Sequence, residues 1–168
     1  TKDALGLWDA LLSAGKPHGI VPIGLDALDM TRVEAGFILH GVDYVGANEA
    51  LVESQKSTPF ELGLGWTVKL QKREPFIGQA ALEAEKRDGS EWALVGLDIS
   101  WDHLERMFDA HGLPPELPCQ AWRTAVPVYE RDRQVGRATS GTWSPLLKKN
   151  LALATVKAAS SKPGTPLE

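Results

Sequence analysis

The 168-residue chain is short of the residues that most often carry covalent or metal chemistry. Its single cysteine, Cys119, excludes an internal disulfide and makes a reduced compartment the expectation, with Cys119 beside Pro118 read as a bystander. The four histidines, His18, His40, His103 and His111, lack metal-ligand spacing, so no structural zinc is expected. Basic residues number 18 against 22 acidic ones, giving a net charge of −4. With a pI near 5.6, this balance argues against a general nucleic-acid or anionic-membrane binder, which would carry a basic stripe. No run approaches the ~18 apolar residues of a membrane span, and the opening Thr1-Lys2-Asp3-Ala4-Leu5-Gly6 has no apolar signal core. A cytoplasmic protein away from the membrane is expected. Gly-x-Ser-x-Gly, the phosphate-cradling Gly-x-x-x-x-Gly-Lys, His-Glu-x-x-His and Cys-x-x-Cys are all missing, and Gly63-Leu64-Gly65 lacks the rest of a dinucleotide fingerprint.

What is present is an ordinary globular composition, 43% hydrophobic and 24% charged. Sixteen glycines and eleven prolines exceed common usage and point to strands and turns. Leu5, Trp8, Leu11 and Leu12 form a helical stripe over residues 4 to 14 that should pack inward and end before Gly15 and Pro17. Asp26 is placed to cap a second helix, Ala27 to Ala35, with Gly36 at its C′ site and a Leu25/Met30 staple. Residues 42 to 61 read as a polar loop. Gly65 to Leu70 alternates like a strand, and Ile77 to Arg87 like a helix with a Glu83/Arg87 pair, stopping at Asp88-Gly89.

From Trp92 the pattern changes to short β-like runs, Ala93 to Ile99, Val126 to Glu130, Val135 to Ser140 and Leu151 to Val156. A small antiparallel barrel or sandwich is expected, with one or two helical turns between Ser144 and Asn150 and a longer insertion over 101 to 123. The boundary between the two parts falls near Arg87 to Glu91.

Glu34 breaks ordinary design. It stands in the last turn of the second helix, where the macrodipole disfavours an anion by about 0.3–1 kcal/mol at an exposed site. Arg32, two residues away, points to another face. Either Glu34 is a surface carboxylate paired with a distant base, or its two oxygens accept parallel N–H donors from a ligand.

Four blocks, in order, resemble the glycine cleavage T-protein (aminomethyltransferase) family. Pro22-Ile23-Gly24-Leu25-Asp26-Ala27-Leu28-Asp29-Met30-Thr31-Arg32-Val33-Glu34-Ala35-Gly36 is similar to the family's Gly-x-x-Ala-x-Asp-x-x-Arg-x-Glu-Ala-Gly segment. Thr58 to Val68 is similar to its Pro-x-Glu-x-Gly-Leu-x-Trp strand, and Phe76 to Leu82 to its Phe-Ile-Gly helix start. Gly136 to Pro145 resembles its Gly-x-x-Thr-Ser-Gly-x-x-Ser-Pro block, with Leu151-Ala152-Leu153-Ala154 just after.

The resemblance implies an α+β fold: residues 1-89 as the C-terminal part of a folate-binding region, and residues 90-168 as an antiparallel β-barrel lacking its last strand, which would follow Pro163-Gly164-Thr165. It implies tetrahydrofolate as cofactor, with the pterin against Glu34 and the glutamate tail near Lys72 and Arg73. Trp66, in the second block, is read as core or as a cofactor contact. Ser140-Gly141 and Ser144-Pro145 are read as turn and cap devices. The family's catalytic aspartate belongs to a part without a counterpart here, so no catalytic residue is assigned and this chain alone should be inactive. The implied activity is one-carbon transfer onto tetrahydrofolate, from an aminomethyl donor on a lipoyl carrier protein or from methyl-O, methyl-S or methyl-N donors as in related demethylases. A folate-binding accessory protein for iron–sulfur assembly is the alternative. It is disfavoured because Arg73-Glu74-Pro75-Phe76-Ile77-Gly78-Gln79 has proline where that signature carries cysteine.

Overall fold

A computed structural model describes residues 2–118 and 120–168. Thr1 and Cys119, and with them the reading of Cys119 as a bystander, lie outside the described residues. The element order is α1 (Ala4–Gly15), α2 (Leu25–Glu34), α3 (Gln79–Asp88), β1 (Trp92–Ile99), α4 (Trp101–Asp109), β2 (Val126–Glu130), β3 (Arg133–Ser144) and β4 (Lys149–Lys157). Short 3-10 turns follow α1, precede the Thr58 to Val68 block, lie within its last residues, and close β4. The helices thus gather before residue 90 and the strands after it, α4 apart.

The strands form one antiparallel sheet in the order β1-β4-β3-β2. Val128, Val135, Ala138, Ala152, Ala154 and Val156 are its buried centre, with Val95, Leu97, Ile99, Trp122 and Leu167 packed against them. Two close approaches need glycine. A Cβ on Gly136 would sit 2.2 Å from the Thr155 carbonyl oxygen, and one on Gly141 2.2 Å from the Trp122 ring. At the outer edge of β2, Glu168 and Tyr129 exchange backbone hydrogen bonds of 2.6 and 2.8 Å.

β3 runs four residues past the expected Ser140, and it contains a bulge. Ala138 pairs with Ala154 and Ser140 with Leu153, so Thr139 is an extra residue. Neighbouring side chains on a regular strand point to opposite faces. The bulge re-aims them, and the hydroxyls of Thr139 and Ser140 reach the same partner, Asp43 Oδ1. Ser140-Gly141 is therefore strand interior, not a turn. Ser144 ends β3 and accepts from the Leu147 amide at 2.9 Å, which makes the β3–β4 link a single tight turn rather than the expected stretch of helix.

Other expectations are corrected in the first region. Helix α1 forms where its periodicity places it, yet no residue of it is buried, and Leu5, Trp8 and Leu11 are 80, 51 and 55% exposed. Helix α2 starts at Leu25 because the Leu28 amide already bonds the Gly24 carbonyl at 3.1 Å. That puts Asp26 inside the first turn and leaves Leu25 exposed, so no staple forms. The C-terminus follows expectation. Gly36 has φ 74°, and the bonds from Gly36 to the Val33 carbonyl and from Phe37 to the Arg32 carbonyl complete a Schellman motif. Residues 65–70 are not a strand; Gly65–Thr67 is a 3-10 turn closed by local bonds from Thr67 to Leu64 and from Val68 to Gly65. Within α3 the Glu83/Arg87 pair is replaced by local partners, Gln79 for Glu83 and Asp88 for Arg87.

Candidate functional site

Helix α2 docks its C-terminal half on β3 through polar groups. Arg32 donates from Nε to Asp29 Oδ1 at 2.6 Å, from Nη1 to Asp43 Oδ2 at 2.6 Å, and from Nη2 to Ser140 Oγ at 3.0 Å. The Leu39 amide adds a 2.8 Å bond to Asp43, and Arg123 Nε donates to the second oxygen of Asp29 at 2.7 Å. Asp29 and Asp43 are both buried. Two guanidinium groups thus face two carboxylates, the condition under which buried charges are tolerated. Burial alone would raise the Asp29 pKa, but the Arg123 and Arg32 hydrogen bonds more than offset it and hold the carboxyl below its ordinary range.

Glu34, two residues beyond Arg32, is half-buried at the end of α2. Its Oε2 accepts from the Ser144 hydroxyl, whose oxygen in turn accepts from the Leu147 amide. A carboxylate oxygen can take more than one donor. Glu34 is therefore fixed by one bond, and its other oxygen has no protein donor among the described residues. The sequence expectation of an anomalous carboxylate meets a structure in which a cap hydroxyl aims it.

The other expected site residues sit apart from this arrangement. Trp66 is 81% exposed, which removes the core reading. Lys72 lies over the Phe76 ring with Nζ 5.7 Å from its centroid, and Lys72 and Arg73 are both exposed. No hydrogen bond or ion pair connects Trp66, Lys72 or Arg73 to Glu34. The polar network through Asp29, Asp43, Arg123, Thr139 and Ser140 was not legible as a site. The i, i+3 spacing of Asp29 and Arg32 was its one local signal.

An apolar cleft of about 250 Å³ is lined by Met30, Trp101, Leu117, Pro118 and Trp143. A second cleft, also about 250 Å³, lies under the 54–57 loop and is bordered by Lys56, Glu61 and Arg137. Burial, foremost, and the nearby Glu85 and Glu91 push the Glu61 pKa up. Among the described residues, no helix is long and apolar enough to cross a membrane, and no group of His, Cys, Asp and Glu is arranged to hold a metal.

Comparison with known proteins places this arrangement. Residues 1–72 match the GCVT N-terminal domain, and residues 94–168 match the glycine cleavage T-protein C-terminal barrel domain. A crystal structure of glycine cleavage system aminomethyltransferase T from Bartonella henselae shares the fold, with a TM-score of 0.71 and 24% identity over 98% of this chain and 38% of that one. A helical region seated by α2 on an antiparallel barrel-type sheet is thus the fold class. Aminomethyltransferases of Bacillus pumilus (strain SAFR-032) and Geobacillus thermodenitrificans (strain NG80-2) are 36% identical over 168 residues and 38% identical over 167. They are covered over 100% and 99% of this chain and 39% of their own length, so the chain spans about two fifths of the curated relatives it matches. The chain belongs to the glycine cleavage T-protein family.

Proposed function

We propose that this chain is part of a tetrahydrofolate-dependent aminomethyltransferase of the glycine cleavage type, and that Glu34 receives the pterin. The observation that carries the reading is the Glu34 carboxylate, oriented by Ser144 with its second oxygen open. A pterin presents N3–H and a 2-amino group as adjacent donors, and a carboxylate with free lone pairs on both oxygens can accept the two together. The residues present therefore fit the group. Tetrahydrofolate, when bound, supplies the N5 nitrogen that takes up the one-carbon unit.

The work of this chain in that reaction is positioning. Arg32, Asp29 and Asp43 lock α2 on β3, and the locked helix end holds Glu34 where it sets the ring's orientation. Lys72 and Arg73 offer exposed cations for the anionic tail of the folate, and Trp66 an exposed aromatic face beside them in sequence. The aminomethyl donor is a lipoyl carrier protein. The names of the curated relatives favour this reading over an accessory role in iron–sulfur assembly. Because the family's catalytic aspartate has no counterpart in the matched blocks, this chain alone is expected to bind and not to turn over.

Calorimetric titration with 5-formyltetrahydrofolate tests the assignment. Glu34→Ala should weaken binding by about 1.5–3 kcal/mol, as for hydrogen bonds to a charged acceptor. An unchanged affinity in that variant removes Glu34 from the site.

A further inference from the structure

We propose that the cleft between the 54–57 loop and the start of β3 binds a small zwitterion of the α-amino-acid class, its carboxylate on Arg137 and its ammonium on Glu61. The site is separate from the one assigned to folate and does not rest on that reading. Gly136 and Arg137 border the cleft near one end of β3, whereas Ser144, which holds Glu34, stands at the other. From Gly136 to Ser144, at about 3.3 Å per residue, roughly 25 Å of strand lies between the two. The walls come from the two regions of the chain. Val45 and Lys56 pair across the base of the loop, and the Ser57 amide bonds the Val45 carbonyl at 3.1 Å, so residues 45–57 form a closed loop. The Leu94 amide bonds the Glu61 carbonyl at 2.7 Å and ties this wall to β1. The other wall is sheet, with Arg137 on β3 beside its register partner Thr155 on β4 and Trp92 at the head of β1.

Charge selects what enters. Glu61 Oε2 accepts from the Thr58 amide at 2.9 Å, and no cationic side chain pairs with either oxygen among the described residues. Burial, foremost, and the like charges of Glu85 and Glu91 raise its pKa. A ligand ammonium would relieve that environment. Lys56 is engaged by Glu53 at 2.6 Å. Arg137 is exposed and makes no ion pair among the described residues, which leaves its fork of N–H donors to a ligand carboxylate. A simple anion would be drawn to Arg137 and repelled by Glu61, and a simple amine the reverse. A molecule that carries both charges satisfies both. At about 250 Å³ the cleft falls below the roughly 300–1,000 Å³ of pockets that take a drug-sized ligand, so a small amino acid fits and a long one does not. The hydroxyls of Ser54, Ser57 and Thr155 on its walls favour a short polar side chain over an apolar one.

The test titrates this chain with L-serine and with its two halves, 3-hydroxypropionate, which lacks the amine, and ethanolamine, which lacks the carboxylate. Among the indole N–H signals of the six tryptophans, that of Trp92 should shift on adding L-serine at millimolar concentration. Each half-ligand should bind about tenfold more weakly, because it forms one of the two charged contacts. Arg137→Gln should weaken L-serine by about tenfold and leave ethanolamine unchanged. Glu61→Gln should weaken L-serine by a similar factor without weakening 3-hydroxypropionate. Should Glu61→Gln fail to fold, the half-ligands and Arg137→Gln, a change at an exposed position, decide the matter. If 3-hydroxypropionate or inorganic phosphate binds as tightly as L-serine, the cleft is an anion site and the zwitterion assignment falls. It falls too if the Trp92 signal does not move, or if 5-formyltetrahydrofolate displaces L-serine, which would put the amino acid in the folate site. The Glu34 assignment has its own titration and is untouched by these outcomes.

Discussion

Helix α1 and strand β4 are both rich in apolar residues, and they meet opposite fates. In α1, Leu5, Trp8 and Leu11 stand at least half open to solvent and nothing is buried. In β4, Ala152, Leu153, Ala154 and Val156 are buried almost completely. Sequence pattern is satisfied in both, since the periodicity is helical in one and extended in the other. What differs is neighbours. β4 lies between β1 and β3 with both edges hydrogen-bonded and its side chains in the sheet's core, whereas among the described residues no element buries the α1 stripe. Burial, not apolar content, converts a pattern into stability. The first region is therefore anchored to the second mainly through the charged seat of α2.

The largest expected effect is at that seat. Arg32→Ala strips the buried Asp43 of its cation and should cost about 3–5 kcal/mol in urea unfolding, as for a buried pair that loses one partner. A loss below 1 kcal/mol would mean that the two regions are not joined through α2. Next comes the sheet. Gly136→Ala forces a Cβ against the Thr155 carbonyl at 2.2 Å and should cost about 1–3 kcal/mol by overpacking, read from the thermal midpoint. The acid limb of the stability curve sharpens the comparison further. The folded Asp29 carboxyl is held below its ordinary range, so its stabilising contribution is in place above the unfolded aspartate pKa near 3.9 and is lost as pH falls through the lower folded value. Asp29→Asn should flatten that part of the curve, and a curve of unchanged slope would show that the pair with Arg123 and Arg32 is not formed. The smallest effect is expected in α1, where Leu11→Ala should shift stability by less than about 0.5 kcal/mol. A cost equal to that of Gly136→Ala would erase the contrast between the two regions.

The sequence made much of the fold legible, and the reasons are local. Gly36 and Gly89 mark helix ends because the positive φ there suits glycine, and the β-like run Val126 to Glu130 forms the strand expected of it. Reading fails where a local turn competes with a strand-like pattern, and where contacts distant in sequence decide. The Gly65 to Leu70 alternation has the period of a strand, but hydrogen bonds close within Leu64 to Val68 instead. Asp43 looked like part of a polar loop and is among the most buried residues, because its partners Arg32, Thr139 and Ser140 are distant in sequence. Of the candidate site, Glu34 was legible from its misfit with the helix dipole. Its partner Ser144, 110 residues away, was not, because only the docking of α2 on β3 brings the two together.

The extra residue at Thr139 reaches further than its own hydrogen bond. Beyond the bulge, Ser140 and Ser144 lie four positions apart on a strand of period two, so both hydroxyls address the same side. One takes Arg32 and the other Glu34. An apolar face would let a helix slide by a fraction of a turn at little cost, whereas two hydroxyls matched to two charged heads work like a key with two teeth. Removing one residue at position 139 would put the strand out of phase with the helix, and the carboxylate would lose its aim without a single residue of α2 being changed.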